Sequence, residues 1–284
     1  MAEFTIGPDF DGSRVDRFLR KMFPALPLSL LYKDLRRGQV RVNGQKAKEN
    51  ERLRAGDRVA VPYEPEEKKT SVPSENLCFP YPLVYEDDEM VVVDKPGGVV
   101  VHKGSGHQAG LIELFRSSFS LPQASPVHRL DKGTSGLLII GKTRAAVRKL
   151  TALLREGKIE KRYVALVRGR VPEGTCLLSD RIVRGETGSF INPEGGKEAL
   201  GEMRLLKNGA GLSLVEITLK TGRTHQIRLQ LASRGWPIIG DGRYGVKRKG
   251  PLFLCATYLA LPSRGLQWFK EVPSGFIELL GKGI

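Results

Sequence analysis

The chain has 284 residues, with 46 Lys and Arg against 31 Asp and Glu, a formal net charge of +15 and a pI near 9.8. A field of that sign attracts polyanions, nucleic acid above all, and the lack of a long uncharged apolar run or a basic amphipathic terminal helix argues against a membrane partner. Three well-separated cysteines (Cys78, Cys176, Cys255), four histidines with no ligand spacing (His102, His107, His128, His225) and no signal-peptide pattern point to a reducing cytoplasm, without disulfides or metal.

Residues 14–58 carry 13 basic and 5 acidic side chains, so over half of the net charge sits in one short segment. Ser13 is a candidate cap for a helix with Val15, Phe18, Leu19, Met22 and Phe23 at helical spacing and Arg14, Arg17 and Lys21 towards another face. A second short helix is predicted from Ser29, burying Leu31 and Leu35 and ending in Arg36, Arg37 and the C-cap Gly38. Val40 and Val42 then alternate into the turn Asn43-Gly44, and Ala55-Gly56-Asp57 turns into Val59 and Val61. Arg36, Arg37 and Arg41 are candidate RNA contacts, because a guanidinium fork matches phosphate oxygens.

Pro62 to Pro82 contains five prolines and a Glu-Glu-Lys-Lys run, too little apolar surface for a core, and residues 64–82 are expected to be a linker. The first domain then spans residues 1–63 and the second 83–284. In the second, apolar runs at Met90–Val93, Val99–Val101, Leu137–Ile140, Tyr163–Val167 and Leu212–Leu219 predict a mixed, mostly antiparallel sheet. Helices are predicted over Thr143–Glu156 and Thr224–Arg234, giving an α+β class overall.

The stretch His128-Arg129-Leu130-Asp131-Lys132-Gly133-Thr134-Ser135-Gly136 sets one carboxylate between an arginine and a small-residue turn, just ahead of an apolar strand. A carboxylate so placed is a candidate nucleophile. The nonapeptide resembles the catalytic motif of the RluA/RluC-like family of ribosomal large-subunit pseudouridine synthases, in which His-Arg-Leu-Asp-x-x-Thr-Ser-Gly carries the essential aspartate. Three further segments resemble family motifs: Lys95-Pro96-Gly97-Gly98-Val99-Val100-Val101-His102, Lys161-Arg162-Tyr163-Val164-Ala165-Leu166-Val167, and Gly222-Arg223-Thr224-His225-Gln226-Ile227-Arg228. Two other matches fail. Gly104 to Ala109 fits a dinucleotide fingerprint but lacks its β-α-β setting, and His128 to Asp131 lacks the order and partners of a kinase catalytic loop.

The resemblance implies a pseudouridine synthase fold, with Asp131, Tyr163 and Arg228 as catalytic residues, His128 and Arg129 at the RNA, and no cofactor, since the isomerisation involves no redox change. Arg228 would pair with Asp131, and a neighbouring cation favours a carboxylate's charged form. Tyr163 would stack on a flipped base, and Arg129 would fill the space that base leaves. Residues 13–62 resemble the alpha-L RNA-binding domain of a ribosomal protein. Tyr32 to Asn43, Tyr85-Glu86-Asp87-Asp88 and His102-Lys103-Gly104-Ser105-Gly106 look closest to the RluC-like subgroup, implying large-subunit ribosomal RNA, or its assembly precursor, as partner of a monomeric enzyme.

Asp241, between two glycines, reads as a turn residue. Cys255 and Leu261 stand where relatives often have histidine and phenylalanine. Two other functions remain open at this point. One is a non-catalytic RNA chaperone or assembly factor. The other is an RNA glycosidase, which would need a second carboxylate from Glu216, Asp180 or Asp241.

Overall fold

The structure, a computed structural model, describes residues 2–7, 10–23, 26–63, 78–103, 109–185, 188–245 and 250–283. It divides into two compact units, Met1–Glu75 and Asn76–Ile284. Most of the expected linker, at 64–77, lies outside the described residues, as do residues 104–108 and with them the core of the rejected dinucleotide fingerprint and His107. No helix among the described residues is long and apolar enough to cross a membrane.

In the first unit, β1 (Ala2–Thr5), α1 (Val15–Met22), α2 (Leu28–Arg37), β2 (Arg41–Val42), β3 (Gln45–Lys46) and β4 (Arg58–Val61) form two helices on a sheet of order β1-β4-β2-β3. Val15, Phe18, Leu19, Leu31 and Leu35 of the helices pack on Val42, Val59 and Val61, so the apolar stripes read from the sequence are the buried ones. Gly38 ends α2 in the left-handed region, φ 72°. Asn43 (φ 50°) and Gly44 (φ 81°) make the two-residue hairpin. Ser13 does not cap α1: its carbonyl accepts the Leu53 N–H, and the helix starts after Arg14, which pairs with Asp16 in the first turn. Arg36, Arg37 and Arg41 are all exposed at the α2 end and β2.

The second unit runs β5 (Leu83–Glu86), β6 (Met90–Lys95), α3 (Leu111–Ser118), β7 (Ser125–Pro126), β8 (Ser135–Gly141), α4 (Arg144–Arg155), β9 (Glu160–Arg168), β10 (Thr175–Arg184), β11 (Ser189–Ile191), β12 (Lys197–Asn208), β13 (Leu212–Leu219), α5 (Gln226–Ser233), β14 (Leu254–Leu261), β15 (Leu266–Phe269) and α6 (Ser274–Lys282). Among the described residues these strands make one mixed sheet of order β11-β10-β12-β13-β9-β14-β8-β6-β5, with β15 beside β14 and β7 beside β8. The β8–β14 pairing is parallel and the other pairs are antiparallel, which is the mostly antiparallel mixed sheet expected.

Both faces of the central strands are covered, which explains why they read as continuous apolar runs rather than alternating ones. Val91, Val93, Leu138 and Ile140 point to the side packed by Phe115 of α3, while Met90, Val92, Leu137 and Ile139 point to the side packed by Leu150 of α4. Thr143 caps α4 by accepting the Ala146 N–H through Oγ1 at 3.1 Å. Two expectations need correction. Val99–Val101 is not a strand: the buried Lys95 ammonium accepts no solvent contact and instead donates to Pro96 O (2.9 Å), Val99 O (2.8 Å) and Lys132 O (3.3 Å), curling that segment into a turn. The helix expected from Thr224 begins two residues later, because His225 takes φ 58°, outside the helical region.

The sheet register brings distant motifs into one row. Gly136 of β8 pairs with Ala256 of β14, and Ala256 pairs with Tyr163 of β9. The approach of β14 leaves no room on Gly136, whose φ is +108° and whose added Cβ would lie 2.2 Å from Ala256 O. Gly136→Ala is therefore expected to destabilise the second unit by about 3 kcal/mol or more through backbone strain and clash, read as a lower denaturation midpoint at unchanged slope. An unchanged midpoint would show that β8 and β14 can move apart without loss.

Candidate active site

Asp131 sits in the loop that enters β8. A turn fixes the loop, with the Thr134 N–H donating to Asp131 O at 3.1 Å, and the Gly98 N–H donates to Lys132 O at 2.8 Å. The same Lys132 carbonyl receives the Lys95 ammonium, so the Lys-Pro-Gly-Gly turn and the aspartate loop share one anchor. Burial lowers the Lys95 pKa to about 8 against the raising influence of Asp131 and Asp94.

Arg228, on the first turn of α5, bridges two carboxylates. Its Nη1 lies 3.3 Å from Asp131 Oδ2, while Nε and Nη2 each donate at 2.8 Å to the two oxygens of Asp241. The fold thus brings Arg228 to Asp131 as expected, but the tighter, bidentate partner is Asp241. Asp241 was expected to be only a turn residue. It is instead 1% exposed, and its Oδ1 also accepts the Arg243 and Tyr244 N–H groups at 3.0 and 3.1 Å. Burial alone would raise the Asp241 pKa, but the Arg228 and backbone hydrogen bonds outweigh it and the net shift is downward. Tyr244 completes the clamp, with its ring 5.1 Å beneath the Arg228 guanidinium carbon.

Asp131, Arg228, Tyr163, Arg129, His225 and Leu254 line one cavity of about 400 Å³, within the ~300–1,000 Å³ range of small-ligand sites. Tyr163 is buried, and burial together with the Asp131 charge pushes its phenol pKa up, so it meets neutral pH with its proton on. Arg129 is exposed beside the nucleophile candidate.

His128 is tied to the sheet. Its Nε2 accepts the Ile139 N–H at 3.2 Å, its Nδ1 is enclosed without a hydrogen-bond partner, and burial, helped by Lys161, lowers its pKa to about 3. A neutral imidazole so tied to β8 holds the loop to the sheet, and the residue lines the same cavity as Asp131. Gln226 was also overlooked. It is 2% exposed, its Oε1 accepts from Thr221 Oγ1 and the Arg223 N–H, and its Nε2 donates to Leu200 O, stapling the Gly-Arg-Thr turn to β12. A glutamine at the first helical position, able both to accept and to donate, was the available signal.

Among the described residues no three His, Cys, Asp or Glu side chains form a metal-ligand group. Cys255 is buried, and burial raises its thiol pKa, in keeping with its apolar neighbours. Glu216 pairs with Arg204 at 2.9 Å and Asp180 with Arg234 at 2.8 Å. Neither they nor Asp241 line the Asp131 cavity.

Comparison with known proteins bears on what such a cavity is for. Residues 89–233 match the family model described as RNA pseudouridylate synthase, and residues 13–59 match the S4 domain. The chain is 39% identical over 255 residues to the ribosomal large subunit pseudouridine synthase C of Vibrio cholerae, covering 86% of this chain and 80% of that one. It is 38% identical over 253 residues to the Escherichia coli protein of the same name, covering 84% and 78%. Among solved structures it is similar to human RNA pseudouridylate synthase domain containing 1, with a TM-score of 0.60 and 27% identity over 71% of this chain and 86% of that one.

The Arg228–Asp241 pair generates a stability test. Asp241→Asn leaves a buried guanidinium short of its counter-charge and is expected to cost about 3–5 kcal/mol. Because the folded pKa of Asp241 lies below the ordinary 3.8, its contribution is complete above that value and is lost as pH falls through the lower folded one. Denaturation at pH 7 and at successively lower pH should show the wild type converging on the variant in acid. A constant gap across that range would mean that the carboxylate's charge is not what the pair depends on.

Proposed function

The chain belongs to the RluA-type RNA pseudouridine synthase family and carries an S4 domain, and from that premise we propose that it converts uridines of large-subunit ribosomal RNA to pseudouridine, with Asp131 as the catalytic carboxylate. The observation that carries the residue assignment is the joining of Asp131 to Arg228 across 97 residues of sequence at the wall of a nucleotide-sized cavity. The reaction breaks the N1–C1′ bond, turns the uracil and forms a C5–C1′ bond. One proton leaves C5 and one arrives at N1, so there is no net redox change.

Each group has a task that its surroundings support. The target must leave its stack to reach Asp131, and Arg129, exposed beside the cavity, is suited to occupy the gap. Tyr163 offers a buried aromatic face for the flipped uracil and a protonated phenol within the same cavity. Arg228 orients Asp131, and Asp241 holds Arg228. A carboxylate so held serves attack at C1′, attack at C6 or removal of a sugar proton alike. The glycosidase reading is disfavoured, because its three candidate second carboxylates stand outside the cavity, two of them committed to other arginines. In the proposed division of labour, residues 1–63 bind RNA, 64–82 link, and 83–284 catalyse.

Asp131→Asn is expected to abolish tritium release from C5-labelled RNA while leaving RNA affinity within a few fold, since the amide keeps the volume without the charge. Measurable turnover would remove Asp131 from its role, whereas a non-catalytic chaperone predicts no tritium release from the wild type either. For the N-terminal unit, replacing Arg36, Arg37 and Arg41 together by Gln is expected to flatten the logarithmic salt dependence of RNA binding by ~2 to 3, at ~0.9 per phosphate contact on duplex DNA and a similar order on RNA. A slope equal to wild type would show that these three arginines do not reach the backbone.

A further inference from the structure

His225 lines the cavity wall beside Asp131, has no part in the reading above, and its backbone is unusual. It holds φ 58° at the start of α5, a region that residues other than glycine enter at a cost, so something must favour it there. Its ring is fixed from behind: Nδ1 lies 2.8 Å from Tyr244 Oη, and Tyr244 Oη lies 3.1 Å from Ser189 O.

Proton counting sets the tautomer. The Ser189 carbonyl only accepts, so the single Tyr244 hydroxyl proton goes to it, and Tyr244 Oη must then accept a proton from His225 Nδ1. The reverse arrangement would leave Ser189 O without that donor and would aim Nε2–H at Asp131 Oδ2 across 3.8 Å, too far for a hydrogen bond. The groups facing the ring are Asp131 from the loop before β8, Arg228 from α5, and Asp241 and Arg243 from the loop after it. Burial, then the two arginines, outweigh the carboxylates and keep the imidazole neutral. Nε2 therefore presents a lone pair, 3.8 Å from a second acceptor, Asp131 Oδ2.

Two acceptors that converge in this way lack the hydrogen that would join them. A neutral hydroxyl donor fits between them, and the flipped nucleotide carries one beside the bond to be broken. We propose that His225 Nε2, together with Asp131 Oδ2, accepts the 2′-hydroxyl of the target ribonucleotide, making His225 a specificity-determining residue that registers the sugar as ribose. This rests on the Asp131 cavity being the uridine site. The 2′-hydroxyl is the group by which proteins distinguish RNA from DNA at a given position.

The test uses the full chain and two stem-loop RNAs that differ only at the target, uridine in one and 2′-deoxyuridine in the other. His225→Asn is the informative variant, since asparagine tolerates the left-handed backbone and its amide N–H replaces Nδ1–H towards Tyr244, while Nε2 is lost. It is expected to lower kcat/KM on the uridine strand about tenfold, the effect of one lost hydrogen bond. The deoxy strand, used as a competitive inhibitor, should bind wild type and variant equally within about twofold, whether or not it is turned over. Tyr244→Phe, which keeps His225 but releases Nδ1, should reproduce the pattern with a smaller loss. The proposal is overturned if the deoxy strand's inhibition weakens by the same factor as kcat/KM, or if uridine turnover is unchanged in His225→Asn. Failure of the wild type to modify the uridine strand would instead strike the isomerase reading itself.

Discussion

The functional end of this molecule depends on a single buried guanidinium. Arg228 is only 13% exposed in its side chain, and removing such a group from water is costly unless every N–H finds an oxygen. Asp241 supplies two of those oxygens at 2.8 Å and Asp131 a third at 3.3 Å. The asymmetry has a chemical meaning. The fully enclosed carboxylate neutralises the arginine and fixes its plane, while the longer contact leaves the cavity-facing carboxylate oriented but not consumed by its partner. Two aspartates on one arginine are therefore held differently, one enclosed and one facing the cavity.

The neighbours of this clamp follow the same division. Gln226 and His128, both within motifs that read as functional, spend their polar atoms on the turn above β12 and on the Ile139 amide. Lys95 directs its ammonium to three carbonyls of two loops. These side chains act through the positions they impose on others. Asp131, Tyr163, Arg129 and His225 line the same cavity.

Much of this was legible in the sequence, for reasons that differ element by element. The helix stripes of α1, α2 and α4 and the buried runs of β6, β8, β9 and β13 are local patterns, and the fold uses them as written. The meeting of Asp131 with Arg228 is not local, and only likeness to a known motif pointed to it. Asp241 was misread because Gly-Asp-Gly is both good turn chemistry and, here, the approach to a buried ion pair; sequence spacing does not tell these apart. β10 and β12 escaped notice because their exposed and buried positions are mixed with charge over long spans, as expected for a half-covered extension of the sheet. Val99–Val101 has strand composition, yet the lysine four residues before it bends the chain around its own charge.

The strand order also governs time. β14, near the end of the chain, lies between β9 and β8, and its residue Ala256 is the rung that joins Gly136 to Tyr163. During synthesis the chain emerges from its beginning, so β8 and β9, complete at Arg168, wait with an open seam between them until β14 begins at Leu254. The first unit, whose pairings all fall before residue 62, has no such wait. A nascent chain can thus hold a finished basic module well before it holds a closed cavity, and the last central strand to arrive decides when the carboxylate at position 131 first meets its arginine in a sealed sheet.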